Sequence, residues 1–198
     1  MTDWRTARFL AVLGVVLAVR VPAHAQDQRP PGISFDGVAR TGTDTRPVRF
    51  RFFCSSNDGP DVTGVLAVEL AVPGYDQLHD MFDFDPFEGP DAAAGPLTLL
   101  QVNGTHATAA DRFTASGSVV PFGTSEAFAL AVSASRRDPG PLRRLAAVLR
   151  PLTNGAGRLV WSQSNSKPGG TPLRASLELT PARSEQLRTG LGPCVGIR

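Results

Sequence analysis

The sequence predicts an α+β fold: an antiparallel, hairpin-built sheet with two or three short helices on one face, stapled by one disulfide. Three observations carry that expectation. With 20 glycines and 17 prolines among 198 residues, the backbone is punctuated too often for a bundle of long helices. Several stretches alternate apolar and polar residues with the period of a half-buried strand. Three others follow a proline with apolar residues at helical spacing, and proline suits the first helical position. Hydrophobic residues make up 41% and charged residues 19%, enough to bury a core, which excludes wholesale disorder.

Taken in order, Ile33 to Ala39 is the first strand, followed by the turn-rich Thr41-Gly42-Thr43-Asp44. From Val48 to Cys54 the chain alternates, with Val48, Phe50, Phe52 and Cys54 on one face and Arg49 and Arg51 on the other. Ser56 to Pro60 is a turn. Val62 to Val72 is the next strand, where Val68, Leu70 and Val72 alternate with Ala67, Glu69 and Ala71. Pro73 opens a first helix carrying Leu78, Met81 and Phe82, and Pro86 stops it. Further strands fall at Leu97–Val102, Phe113–Val120 and Ala127–Ala134. Asp138-Pro139-Gly140-Pro141 introduces a second helix, apolar at Leu142, Leu145, Val148 and Leu149 and basic at Arg143, Arg144 and Arg150. Leu159–Ser162 and Leu173–Leu179 are the last strands. Thr180-Pro181 caps a final helix that Gly190 terminates.

This order contains a candidate internal repeat of hairpin-then-helix units, beginning at Arg49-Phe50, Arg112-Phe113 and Arg158-Leu159. Ser56-Asn57-x-x-Pro60-x-x-Thr63 aligns with Ser164-Asn165-x-x-Pro168-x-x-Thr171, and Glu69-Leu70 then meets Glu178-Leu179. In such repeats each unit buries its apolar face against its neighbours.

Residues 1–25 read as a secretory signal peptide. Arg5 and Arg8 precede the apolar run Phe9 to Val19, and Ala23-His24-Ala25 is a small-x-small cleavage pattern. Eleven helical residues span about 16 Å, roughly half a bilayer core, so the run does not read as an anchor. Residues 26–32 form a loose leader and 33–198 a single α+β domain, periplasmic or extracellular after cleavage near Ala25, with no membrane span in the mature chain. Cys54 and Cys194 are the only cysteines. In an exported protein such a pair most simply forms one disulfide.

Removing residues 1–25 leaves 17 basic and 17 acidic residues, which gives no electrostatic case for nucleic-acid binding. The distribution is nevertheless lopsided. Residues 52–111 hold ten acids and no Lys or Arg, whereas residues 112–198 hold twelve bases and four acids. On the expected first helix Asp76, Asp80 and Asp83 share a face, and each like-charge pair costs about 0.2–0.5 kcal/mol. Arg136, Arg137, Arg143 and Arg144 could balance them. A Ca²⁺ ion is the sharper alternative, because Asp83, Asp85, Glu88 and Asp91 offer hard oxygen ligands near a glycine. A partner surface is the third: Phe82, Phe84 and Phe87 interleave with these acids, as suits docking of a basic protein or peptide. Core packing is the plainer use of the same rings.

Catalytic signals are sparse. His79 and His106 are the histidines outside residues 1–25. Gly123-Thr124-Ser125-Glu126-Ala127 approaches a nucleophile elbow but lacks its second glycine. Glu69 and Glu178 could form a carboxylate pair for sugar cleavage if they lie about 5–9.5 Å apart. There is no phosphate-binding loop, dinucleotide fingerprint or zinc spacing. Asn103-Gly104-Thr105 is a glycosylation sequon. The expected function is therefore an exported, non-catalytic binding or accessory protein for a protein, peptide or envelope component, with no cofactor. A small cell-envelope hydrolase and a Ca²⁺-stabilised structural module are the alternatives.

Overall fold

The computed structural model describes residues 32–55, 64–89, 92 and 95–196. The signal peptide, the leader up to residue 31, the Ser56–Pro60 turn and Asp91 lie outside the described residues.

Nine strands form one antiparallel sheet that curls into a half-barrel. They are β1 (Ile33–Thr41), β2 (Asp44–Cys54), β3 (Val65–Pro73), β4 (Thr98–Gly104), β5 (Thr108–Phe113), β6 (Ser116–Phe122), β7 (Ser125–Ser135), β8 (Gly157–Gln163) and β9 (Leu173–Leu179). Their order is β5-β4-β8-β9-β1-β2-β3-β7-β6. Two helices, α1 (Pro139–Leu149) and α2 (Pro181–Val195), accompany them. The sheet thus dominates the α+β architecture. Strands β5 and β6 are its two edges, yet only Thr114 and Ala115 join them. Three Cα steps span at most about 11 Å, so the curl brings the two edges together at that corner.

The alternation expected from the sequence decides which face is inside. Val48, Phe50 and Phe52 of β2 and Leu66, Val68 and Leu70 of β3 are buried in one core with Leu145, Val148 and Leu149 of α1 and Leu187, Leu191 and Val195 of α2. Both helices therefore lie on the inner face. Asp138 caps α1, its carboxylate accepting from the Gly140 amide at 3.3 Å, and Thr180 caps α2 by accepting from the Arg183 amide at 3.4 Å. Cys54, ending β2, is bonded to Cys194 in the last turn of α2, with Cα atoms 5.9 Å apart.

The structure corrects the sequence reading in four places. The first helix is absent: two 3-10 turns, Tyr75–Leu78 and Asp85–Phe87, stand there instead. A regular helix would point residues 82 and 84 about 200° apart, and the core takes both rings. The strand expected at Phe113–Val120 is two strands, β5 and β6, on opposite edges of the sheet. Helix α2 runs past Gly190 and ends at Gly196, whose φ of 74° supplies the left-handed cap. Gly190 is small because the Ile33 side chain occupies the space a Cβ would need. The hairpin-helix repeat fails in its first unit, since β2–β3 leads into 3-10 turns. Its second unit, β6–β7, enters the sheet in the reverse direction to β2–β3 and β8–β9.

Candidate functional site

Among the described residues, which do not include Asp91, the acidic segment does not assemble the expected site. Asp76, Asp80, Asp85 and Glu88 are exposed on or beside the 3-10 turns, so Asp76, Asp80 and Asp83 share no helix face. Asp83 accepts from the Ser166 hydroxyl at 2.5 Å and from the Asp85 amide at 3.2 Å. Arg144 does not meet these acids; it binds Asp111. Among the described residues no three His, Cys, Asp or Glu side chains converge as a metal site would require. Phe82, Phe84 and Phe87 are each at most 1% exposed. They pack on one another, the Phe82 and Phe84 ring centres 4.8 Å apart, so a docking surface made of these rings is not present.

Neither catalytic constellation is assembled. Ser125 begins β7 and donates to the Phe122 carbonyl at 3.0 Å, closing the β6–β7 turn around Gly123. Glu69 on β3 and Glu178 on β9 both point outward, but β1 and β2 lie between them. Three strand spacings amount to about 14 Å along the sheet, outside the glycosidase range. Glu69 lies 3.7 Å from Arg51, and Glu178 lies 3.0 Å from Arg158. His79 packs edge-on against Tyr75, and His106 is exposed in the β4–β5 turn.

The outer face carries a different arrangement. Through the strand register, Arg112 of β5 pairs with Leu99 of β4, Leu99 with Ser162 of β8, Ser162 with Arg174 of β9, and Arg174 with Arg40 of β1. Three arginines and two small or aliphatic side chains thus form one row across five strands, on the face away from the helices. Arg40 and Arg174 are directly opposite each other, where like charges destabilise a sheet. One row along lie Val160, Ser176 and Val38, the last 43% exposed.

Two open hollows follow this row. One, of about 630 Å³, is lined by Arg40, Arg174, Arg158, Val38 and Val160. The other, of about 520 Å³, is lined by Arg112, Leu97, Leu99, Ser162 and Arg174. Pro172 and Arg174 belong to both, so the two make one trough.

Charge pairing separates these arginines from the others on the outer face. Arg49 meets Asp36 at 3.0 Å and lies over the Phe122 ring, Arg51 meets Glu69 and covers Phe53, and Arg158 meets Glu178. Among the described residues, no side chain or carbonyl accepts from the guanidinium of Arg40, Arg112 or Arg174. At the trough's edge Arg144 of α1 donates to both Asp111 oxygens, at 2.6 and 2.7 Å, and to the Arg112 carbonyl at 2.8 Å. Those two side-chain bonds hold the Asp111 carboxyl below the usual aspartate range.

Sequence reasoning missed this row. Arg40, Arg112 and Arg174 are far apart in the chain, and each lies in or beside a segment already read as a strand. Only the strand order places them together. Compared with known protein families, curated proteins and solved structures, the chain matches none.

Proposed function

We propose that this chain is an exported, non-catalytic binding protein that takes an anionic ligand on the outer face of β5, β4, β8, β9 and β1. The observation that carries the reading is the row of three guanidiniums over one trough, none of which has an acceptor among the described residues. Arginine presents a planar fork of donors suited to carboxylate, phosphate or sulfate, and three such forks with no internal acceptor have that capacity to spare. The Cys54–Cys194 bond fits an oxidising compartment. Among the described residues, no helix is long and apolar enough to cross a membrane. The hydrolase reading has less support, because Ser125 serves a turn and the two glutamates are held apart by intervening strands.

Fluorescent dextran sulfate, a sequence-free polyanion, is a suitable probe. Titrated with the purified chain, its anisotropy should rise saturably, and the affinity should fall as salt is raised from about 50 to about 300 mM. The variant R40A/R174A should lose most of the binding, while R183A/R188A, which removes equal charge from α2, should keep it. Equal affinity for the two variants would overturn the reading.

A further inference from the structure

The spacing and lining of the trough narrow the ligand, on the basis of the anion-binding reading above. We infer that it is an extended acidic segment of a partner protein, with carboxylates at positions i and i+4 flanking an aliphatic residue at i+2. Arg112 and Arg174 stand three strand spacings apart, about 14 Å across the sheet. An extended chain advances about 3.3–3.4 Å per residue, so side chains at i and i+4 lie about 13 Å apart on the same face. The residue at i+2 shares that face and falls midway, over Leu99 and Ser162. Leu99 and Leu97, the latter 50% exposed, are the apolar surface available to it. Arg40, one strand beyond Arg174, doubles the positive charge at that end.

Under the trough β4, β8, β9 and β1 are interior, with their backbone groups already paired on both sides, and only β5 is an edge, so a segment that reaches from Arg112 to Arg174 cannot add as a further strand. It must cross them and be held by side chains, which suits carboxylate–guanidinium pairs with an aliphatic contact between. An acidic polysaccharide fits less well. The side chains named in the trough are aliphatic, small or cationic, with no aromatic ring to stack on a sugar. A lipid fits less well because both hollows are open and neither encloses an acyl chain.

Three probes test this, read by anisotropy against the purified chain. The first is a capped peptide Ala-Glu-Ala-Val-Ala-Glu-Ala, and the second has the same composition with its two glutamates adjacent. The third is a competition set of polygalacturonate and phosphatidylglycerol vesicles. The spaced peptide should bind about tenfold more tightly than the scrambled one. The R112A variant should erase that preference, and L99S should weaken the spaced peptide alone. Equal binding of the two peptides, or displacement of the spaced peptide more readily by polygalacturonate or vesicles than by excess unlabelled peptide, overturns the inference. Binding of dextran sulfate with no peptide binding overturns it while leaving the anion-binding reading in place; loss of both removes both.

Discussion

Asn165, in the β8–β9 loop, donates its side-chain amide to the Met81 carbonyl at 2.6 Å, across 84 residues of sequence. The same amide donates to the Thr171 carbonyl at 3.0 Å, and its oxygen accepts from the amides of Lys167 at 3.1 Å and Asp83 at 3.4 Å. Ser166 and Lys167 add bonds to the Asp83 carboxylate and the His79 carbonyl. One hairpin loop therefore fastens residues 79–83 of the segment between β3 and β4. It also takes up backbone groups of Met81 and Asp83 that a helix would have used internally.

Asn165→Ala should accordingly destabilise the fold by about 1–3 kcal/mol, because two carbonyls and two amides lose their partner at once. Urea denaturation should show a lower midpoint, and hydrogen exchange should rise first in residues 79–87. Asn165→Asp keeps the acceptor and loses the donors, so it should fall between the two proteins. An unchanged midpoint for the alanine variant would mean that the loop is only resting on the segment.

This latch explains why part of the fold was legible in the sequence and part was not. Strands with strict alternation, such as Val48 to Cys54, were readable because burying one face needs only a period of two. Helix α1 was readable from Asp138 and the prolines behind it. The segment from Gly74 to Phe87 was not, since its apolar spacing imitates a helix while its backbone closes short turns and leaves the Met81 carbonyl and Asp83 amide to Asn165. Gly190 looked like a terminator because its packing against Ile33 is a long-range fact. The disulfide was legible because two cysteines allow one pairing. The arginine row was not, because β9 pairs with β1 across more than 130 residues of chain, and neither strand's own pattern names its partner.

The opposed pair Arg40 and Arg174 should be a stability cost carried by the free protein. Like charges directly across a ladder destabilise by roughly 0.2–1 kcal/mol, and neither guanidinium has an acceptor among the described residues to offset it. Arg174→Gln should therefore raise the melting temperature slightly at low salt, with the gain shrinking in high salt. Adding dextran sulfate should raise the melting temperature of the unmodified chain and leave that of R40A/R174A nearly fixed. A drop on Arg174→Gln substitution at low salt would contradict the placement of the two charges.

Asp111 and Arg144 give the β5–α1 contact a pH dependence of definite sign. The two bonds from Arg144 depress the Asp111 carboxyl and raise the guanidinium. A depressed carboxyl contributes stability that is fully present above its unfolded value, near 3.9, and lost as pH falls through the lower folded value. The raised guanidinium would lose its part only at strongly alkaline pH, so acid sets the window. The pair is partly exposed, with Asp111 at 32% and Arg144 at 54%, so solvent screening keeps the contribution small. Asp111→Asn should lower the melting temperature at pH 7, and the difference from the unmodified chain should shrink in acid and vanish once pH lies below the depressed folded value. Asp44–Arg46 and Glu185–Arg188 also lose their pairing in acid, but they are intact in both proteins and cancel. A gap that persists in acid would assign the effect to packing instead.

The Cys54–Cys194 bond closes a span of 140 residues, and the chain-entropy model assigns such a loop about 5 kcal/mol, an upper figure for measured cases. Its local effect should be narrower than its global one. Helix α2 keeps Leu187 and Leu191 in the core without the bond. The Val195 carbonyl still accepts from Arg150, at 3.0 and 3.2 Å. Reduction should therefore leave the helix in place through Leu191, confine any loosening to its last turn, and free the end of β2. In C54A/C194A the urea midpoint should fall by several kcal/mol in free-energy terms, with far-ultraviolet circular dichroism nearly unchanged in the absence of denaturant. Because the arginine row lies on the opposite face of the sheet, dextran sulfate affinity measured well below the melting transition should not change. A loss of binding in parallel with stability would mean that the strand register holding Arg40 opposite Arg174 depends on the staple, and that the two ends of the fold are coupled through β1 and β2.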